Sequence, residues 1–126
     1  MILDAGVLIA IDRGTKTGRN LLTNVDRLAE PLHTTAPVAA QVWRNGSRQV
    51  RLARALGAMT VHPFAPGDVA QVGEALRRSG TADVVDAHLY LVAQRIGHDI
   101  LTSDAADFAS LRTAAPPNAP QVLAWQ

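Results

Sequence analysis

The chain has no cysteine, one lysine (Lys16), two glutamates and few aromatic residues, which make up only 4% of it. Without cysteine, neither disulfides nor thiolate metal sites can form, which accords with a cytoplasmic protein. Aromatics this scarce give little support to single-strand binding on a platform of stacked bases. Long hydrophobic runs are missing too. Every apolar stretch is broken by charge well short of the ~18 residues of a membrane helix, so no membrane span is expected. The first residues read as a strand, not as a basic stretch before an apolar core, so no signal peptide is expected. What remains is 126 residues, 48% of them hydrophobic, which predicts one domain over 1–126 with a single core. Net charge is only +1, yet 11 arginines stand against the single lysine. Arginine's planar fork suits phosphate, although a GC-rich genome produces the same imbalance.

Strand-like and helix-like segments alternate along the whole chain. MIL at 1–3 reads as a strand, turning helical near Ala5 and stopping at Arg13-Gly14. Residues 17–30 place Leu21, Leu22, Val25 and Leu28 at helical spacing, with Pro31 closing the segment. A short strand at 33–36 leads to a helix from Pro37 to about Arg44. Asn45-Gly46 stops it, and Ser47 is placed to cap the next helix, 48–56. Ala58–His62 is a strand ended by Pro63, and 67–78 a helix closed by Ser79-Gly80. A long helix starts at Thr81 or Ala82 and runs to about Arg95. HDILT is a strand, Ser103 or Asp104 caps a helix to Arg112, TAAPPNAP is a loop and QVLAW a last strand. This alternation predicts an α/β domain, a three-layer α/β/α sandwich around a mainly parallel sheet.

The acidic residues are unevenly spread. Of the 11, five fall in three places: Asp4 after the first strand, Asp83 and Asp86 at the start of the long helix, and Asp104 and Asp107 after ILTS. In open parallel sheets, ligands gather at the carboxyl ends of the strands. Asp4, Asp86 and Asp104, with Asp107, converge there if the first and fourth strands are neighbours. Carboxylates so gathered repel one another unless a cation holds them, and oxygen-only ligation selects Mg²⁺ or Mn²⁺. Each residue also has a plain structural reading: Asp104 as a helix cap, Asp83 as a first-turn charge, Asp107 as solvated surface. For Asp83 the structural reading is preferred.

MILDAGVLIA, TTAPVAAQVWRNG, DVVDAHLYLVAQRIG and ILTSDAADFASL together resemble the PIN-domain ribonucleases, most closely the VapC-type toxins of toxin–antitoxin pairs. The resemblance covers nearly the whole chain, with the motifs in the family's order. It implies a PIN-like α/β/α fold and metal-dependent endonucleolytic cleavage of RNA, leaving 5′-phosphate and 3′-hydroxyl ends. It implies Asp4, Asp86, Asp104 and Asp107 as metal-binding and catalytic acids, with Ser103, or Thr102 beside it, as the accompanying hydroxyl. It further implies a homodimer and a small antitoxin protein that covers the acidic groove. One position departs: Gln41 stands where the family has a glutamate. An amide brings no charge and cannot act as a base. Gln41 is therefore an accessory residue, and a catalytically weakened PIN domain serving as an RNA- or protein-binding module is the alternative reading.

Arg44, Arg48, Arg51 and Arg54 lie in one helical region, as a solvated face or as RNA phosphate contacts. His88, two residues from Asp86, points to another helix face and is read as structural. His33, His62 and His98 lack zinc-site spacing. Trp43, Tyr90 and Trp125 are expected in the core or a dimer surface. A receiver-like signalling domain also clusters aspartates at strand ends. It requires a paired acid after the first strand and a late lysine, and both are missing.

Overall fold

The computed structural model describes residues 1–115 and 119–125. Five short strands form one sheet: β1 (Ile2–Leu3), β2 (His33–Thr35), β3 (Thr60–His62), β4 (Ile100–Thr102) and β5 (Val122–Ala124). All pairings are parallel, in the order β3-β2-β1-β4-β5. The expected mainly parallel α/β/α sandwich is thus observed as fully parallel. From β1 to β3 the chain walks in one direction across the sheet, and from β3 to β5 it walks the other way. Right-handed crossovers then put the two sets of helices on opposite faces. The first set is α1 (Ala5–Arg13), α2 (Lys16–Leu28), α3 (Ala36–Val42) and α4 (Val50–Ala58), with α1 packed on the other three. The second is α5 (Asp68–Ser79), α6 (Val84–Ile96) and the short α7 (Ala109–Thr113), with α5 packed on α6 and α7. Between the layers lie Ile2, Leu3, Leu8, Leu52, Leu89 and Phe108, all fully buried.

Several boundaries differ from expectation for local reasons. Helix α2 ends at Leu28, ahead of Pro31, because Ala29 takes a left-handed conformation at φ 52. Ser47 does not cap α4, since its hydroxyl donates to Asn45 Oδ1 at 2.7 Å. The turn is held by Gln49 instead. Its Oε1 accepts from the backbone of Arg44 and Asn45 (2.7 and 2.9 Å), and α4 begins at Val50. Helix α6 starts at Val84, later than expected, because Asp83 is its N-cap and accepts from Asp86 N at 2.9 Å. Asp86 accordingly lies in the first turn, where the helix dipole acts most strongly. After β4 comes a 3₁₀ turn, Ala105–Phe108, in place of the first turn of an α-helix. Asp104 precedes it without making a side-chain cap bond, so the capping reading of Asp104 fails. The expected 113–120 loop lies partly outside the described residues, at 116–118. Among the described residues no helix is long and apolar enough to cross a membrane.

Candidate functional site

Strand order decides where the acids meet. Reversal of direction between β1 and β4 opens a crevice at their carboxyl ends, the usual ligand position in such sheets. Leu3 pairs with Leu101, so Asp4 leaves β1 level with Thr102 at the end of β4. Asp4 is 8% exposed and doubly held: its Oδ1 accepts from Ala5 N and its Oδ2 from Thr102 Oγ1, both at 2.8 Å. Thr102 is fully buried, and its Oγ1 also accepts from Asp104 N at 3.0 Å. One threonine hydroxyl therefore ties the Asp4 carboxylate to the Asp104 backbone. Asp107 follows in the 3₁₀ turn, its backbone N donating to Asp104 O at 3.2 Å. Both carboxylates are exposed.

Electrostatics shows that these groups sense one another. The half-buried Asp86 carboxyl is raised to about 7, first by burial and then by Asp83, Asp4 and Asp107. Asp107 is raised as well, first by desolvation and then by Asp104, Asp4 and Asp83. Every charge that moves either group is a carboxylate. The five acids form one uncompensated field, and Asp83 belongs to it as well as capping α6. Among the described residues no three His, Asp or Glu side chains stand close enough together to hold a metal ion in this arrangement. The donor set nevertheless fits a hard cation. It is all oxygen, and a carboxyl raised to about 7 among like charges is one that a divalent ion relieves.

Other expected residues lie apart. Gln41 is exposed on α3. Arg44 turns back on its own helix, donating to the carbonyls of Ala40 (3.3 Å) and Trp43 (2.6 Å), where it neutralises the α3 C-terminus. Arg48 is exposed, and Arg51 packs over the Gly14 turn, its Nε 2.7 Å from where a Cβ would stand. His88 is fully buried, its Nε2 3.4 Å from Asp68 Oδ2 and its ring packed at a 44° tilt against Phe64, so its structural reading stands. Ser103 is exposed, and its hydroxyl fills the space above Gly6, where any Cβ would collide with it. Gly6 is the residue sequence reasoning missed. The available signal was a glycine in a first helical turn, a costly choice unless something packs against it.

The family model for the PIN domain matches residues 1–113. No curated protein matches the chain. Among solved structures, VapBC2 from Rickettsia felis, bound to a DNA fragment from its promoter, superposes with a TM-score of 0.68. It is 16% identical, covering 99% of this chain and 98% of the other. A toxin–antitoxin complex from Klebsiella pneumoniae gives a TM-score of 0.67 at 19% identity, covering 94% and 98%.

Proposed function

The chain belongs to the PIN-domain family, and from that premise we propose that it is a divalent-metal-dependent endoribonuclease, the toxin of a toxin–antitoxin pair. The observation that carries the reading is the Asp86 carboxyl, raised to about 7 by burial and by Asp83, Asp4 and Asp107. An arrangement that costs its own fold electrostatic energy is typical of functional sites. Asp4, Asp86, Asp104 and Asp107 would hold Mg²⁺ or Mn²⁺, which when bound supplies an activated water and neutralises charge on the phosphoryl oxygens. The protein's own part is positioning. Thr102 fixes Asp4 through Oδ2 and orients the chain leading to Asp104. The Asp83 cap sets the first turn of α6 and with it Asp86. Ser103, seated over Gly6, offers a hydroxyl at the mouth of the crevice. Arg48 and Arg51, on the exposed surface, attract the RNA backbone that the acids repel.

The two solved structures named above come from toxin–antitoxin systems, which supports a small antitoxin as partner. A homodimer acting on cytoplasmic RNA completes the proposal. The test is cleavage of defined RNAs with and without Mg²⁺ or Mn²⁺, using Asp4→Asn and Asp104→Asn. Activity surviving either change overturns it. Gln41, an exposed amide, motivates a second reading, a weakened nuclease that acts by binding. Gln41→Glu separates the two: a large gain in cleavage favours the weakened form, and little change favours the first.

A further inference from the structure

Charge is divided unevenly between the two helical layers. From Ala5 to Ala58, the stretch that builds the first layer, eight basic residues stand against three acids, a net charge of +5. From residue 59 to 126 four basic residues stand against seven acids, a net charge of −3. The ion pairs are divided the same way. Arg77 and Arg78 bind Glu74, and Arg95 binds Asp68, all in the second layer. Among the described residues no arginine or lysine of the first layer is paired with a carboxylate, and all eight are exposed.

Five of these cations gather at the seam between α1 and α4. Arg13 and Lys16 flank the Gly14 turn that joins α1 to α2, and Arg51 lies over that turn. Arg48 and Arg54 stand three residues to either side of Arg51. A hydrogen bond from Gln49 Nε2 to Asp12 Oδ2 (3.2 Å) ties the start of α4 to the last turn of α1. Asp12 gives that oxygen to the amide and has the other buried, so it is a partner to none of the five. A one-signed patch without internal counter-ions is the electrostatic footprint of a polyanion. Helix α1 sets its distance from the acids. Asp4 caps the helix and Arg13 is its last residue, so at ~1.5 Å per residue the seam lies about 13 Å along the axis. Residues 5–11 between them are all uncharged, so no acid interrupts the track. A stacked nucleic-acid strand carries a phosphate every ~3.4 Å, which makes this offset about four nucleotides. The two-point match favours RNA over an acidic protein. One strand supplies both the anions for the seam and a phosphodiester at the acids.

Resting on the endoribonuclease reading, we propose that the α1–α4 seam is a backbone track for the substrate RNA, holding phosphates about four nucleotides from the one that is cleaved. The hold is on phosphate, so it selects for length of RNA and is indifferent to base sequence. The test is the affinity of a fluorescent RNA dodecanucleotide, measured over a salt series in EDTA so that nothing is cleaved. Arg51→Gln with Arg54→Gln, and Arg13→Gln with Lys16→Gln, each remove two seam charges. Arg77→Gln with Arg78→Gln removes two exposed charges from the second layer and controls for net charge. Each seam pair is expected to weaken binding about tenfold and to reduce the salt slope by about 1.4, at ~0.7 per phosphate of a single strand. The control should change affinity less than about twofold. With Mn²⁺ the seam pairs should lower kcat/KM about tenfold on the dodecanucleotide and less than about twofold on a trinucleotide, which is too short to reach from the acids to the seam. Folded seam variants that bind within twofold of wild type overturn the proposal, as does a control that weakens binding as much as they do. So does an equal loss of cleavage on the long and short RNAs, or an effect confined to oligomeric state. Wild type that binds RNA through the seam but cleaves none with Mn²⁺ sinks the nuclease reading and leaves the seam an RNA-binding surface. A cleaving wild type with unaffected seam variants does the reverse.

Discussion

With Asp86 as a metal ligand, as proposed, metal binding becomes a function of pH in the physiological range. Its carboxyl is held at about 7, whereas an unperturbed aspartate titrates near 4. A metal ligand must be ionised. With a folded pKa of about 7, roughly one molecule in eleven carries an Asp86 carboxylate at pH 6, half at pH 7 and ten in eleven at pH 8. Mn²⁺ affinity is therefore expected to rise about tenfold from pH 6 to pH 8 through Asp86 alone, with Asp107 adding in the same direction. Binding at pH 7 should release about half a proton per ion from Asp86. Isothermal titration calorimetry in two buffers of different ionisation enthalpy reads both quantities. The same shift has a stability sign. Because the folded pKa is raised, Asp86 favours the metal-free fold below its unfolded value, and that contribution is lost as pH rises through about 7. Mn²⁺ should accordingly raise the melting temperature more at pH 8 than at pH 6. Asp83→Asn isolates the cause. Asparagine caps a helix about as well as aspartate, so α6 is kept while one like charge is removed, and the affinity midpoint should move to lower pH. A Mn²⁺ affinity constant within twofold from pH 6 to 8, with no proton released, refutes the reasoning.

Thr102→Val keeps the shape but strips Asp4 of a donor and leaves Asp104 N unpaired, and is expected to cost about 1–3 kcal/mol in denaturant unfolding. Gly6→Ala forces Ser103 out of its seat. Overpacking of this kind costs about 1–3 kcal/mol, and cleavage should fall further than Ser103→Ala alone would lower it. His33 Nδ1 and His62 Nε2 lie 2.9 Å apart, and both rings titrate below the usual value, first through burial. Lowered folded values mean that this contribution is intact above about pH 6.5 and is lost as pH falls toward the folded values. His62→Gln should flatten that part of the melting-temperature profile, and an unchanged difference between the two proteins from pH 7.5 to 5 argues against it.

Legibility in the sequence followed the range of the interaction. Strand–helix alternation and the placement of Asp4 and Asp104 at strand ends depend on neighbours a few residues away, and both were readable. Cap assignments failed where two local groups compete: Ser47 was taken by Asn45, and Asp83 claimed the cap that delays α6 to Val84. Contacts across the sheet had no local signal. His33, His62 and His98 come from three segments and meet only because β2 lies beside β3 on one side and, across the two-residue β1, near the start of β4 on the other. Gly6 against Ser103 depends on the same strand order. Arg44 looked free in the sequence because a side chain's retreat onto its own helix end leaves no periodic trace.

The Thr102–Asp4 hydrogen bond joins residues 98 positions apart. Until β4 has emerged from the ribosome and paired with β1, Asp4 has no partner there, and the acids are scattered along an unfinished chain. At ~5–20 residues per second, that pairing waits several seconds into synthesis. The acidic crevice is thus among the last features of the domain to exist. An incomplete chain carries Asp4, Asp83 and Asp86 without the means to bring them together with Asp104, so a truncated or stalled product lacks the assembled crevice by topology alone.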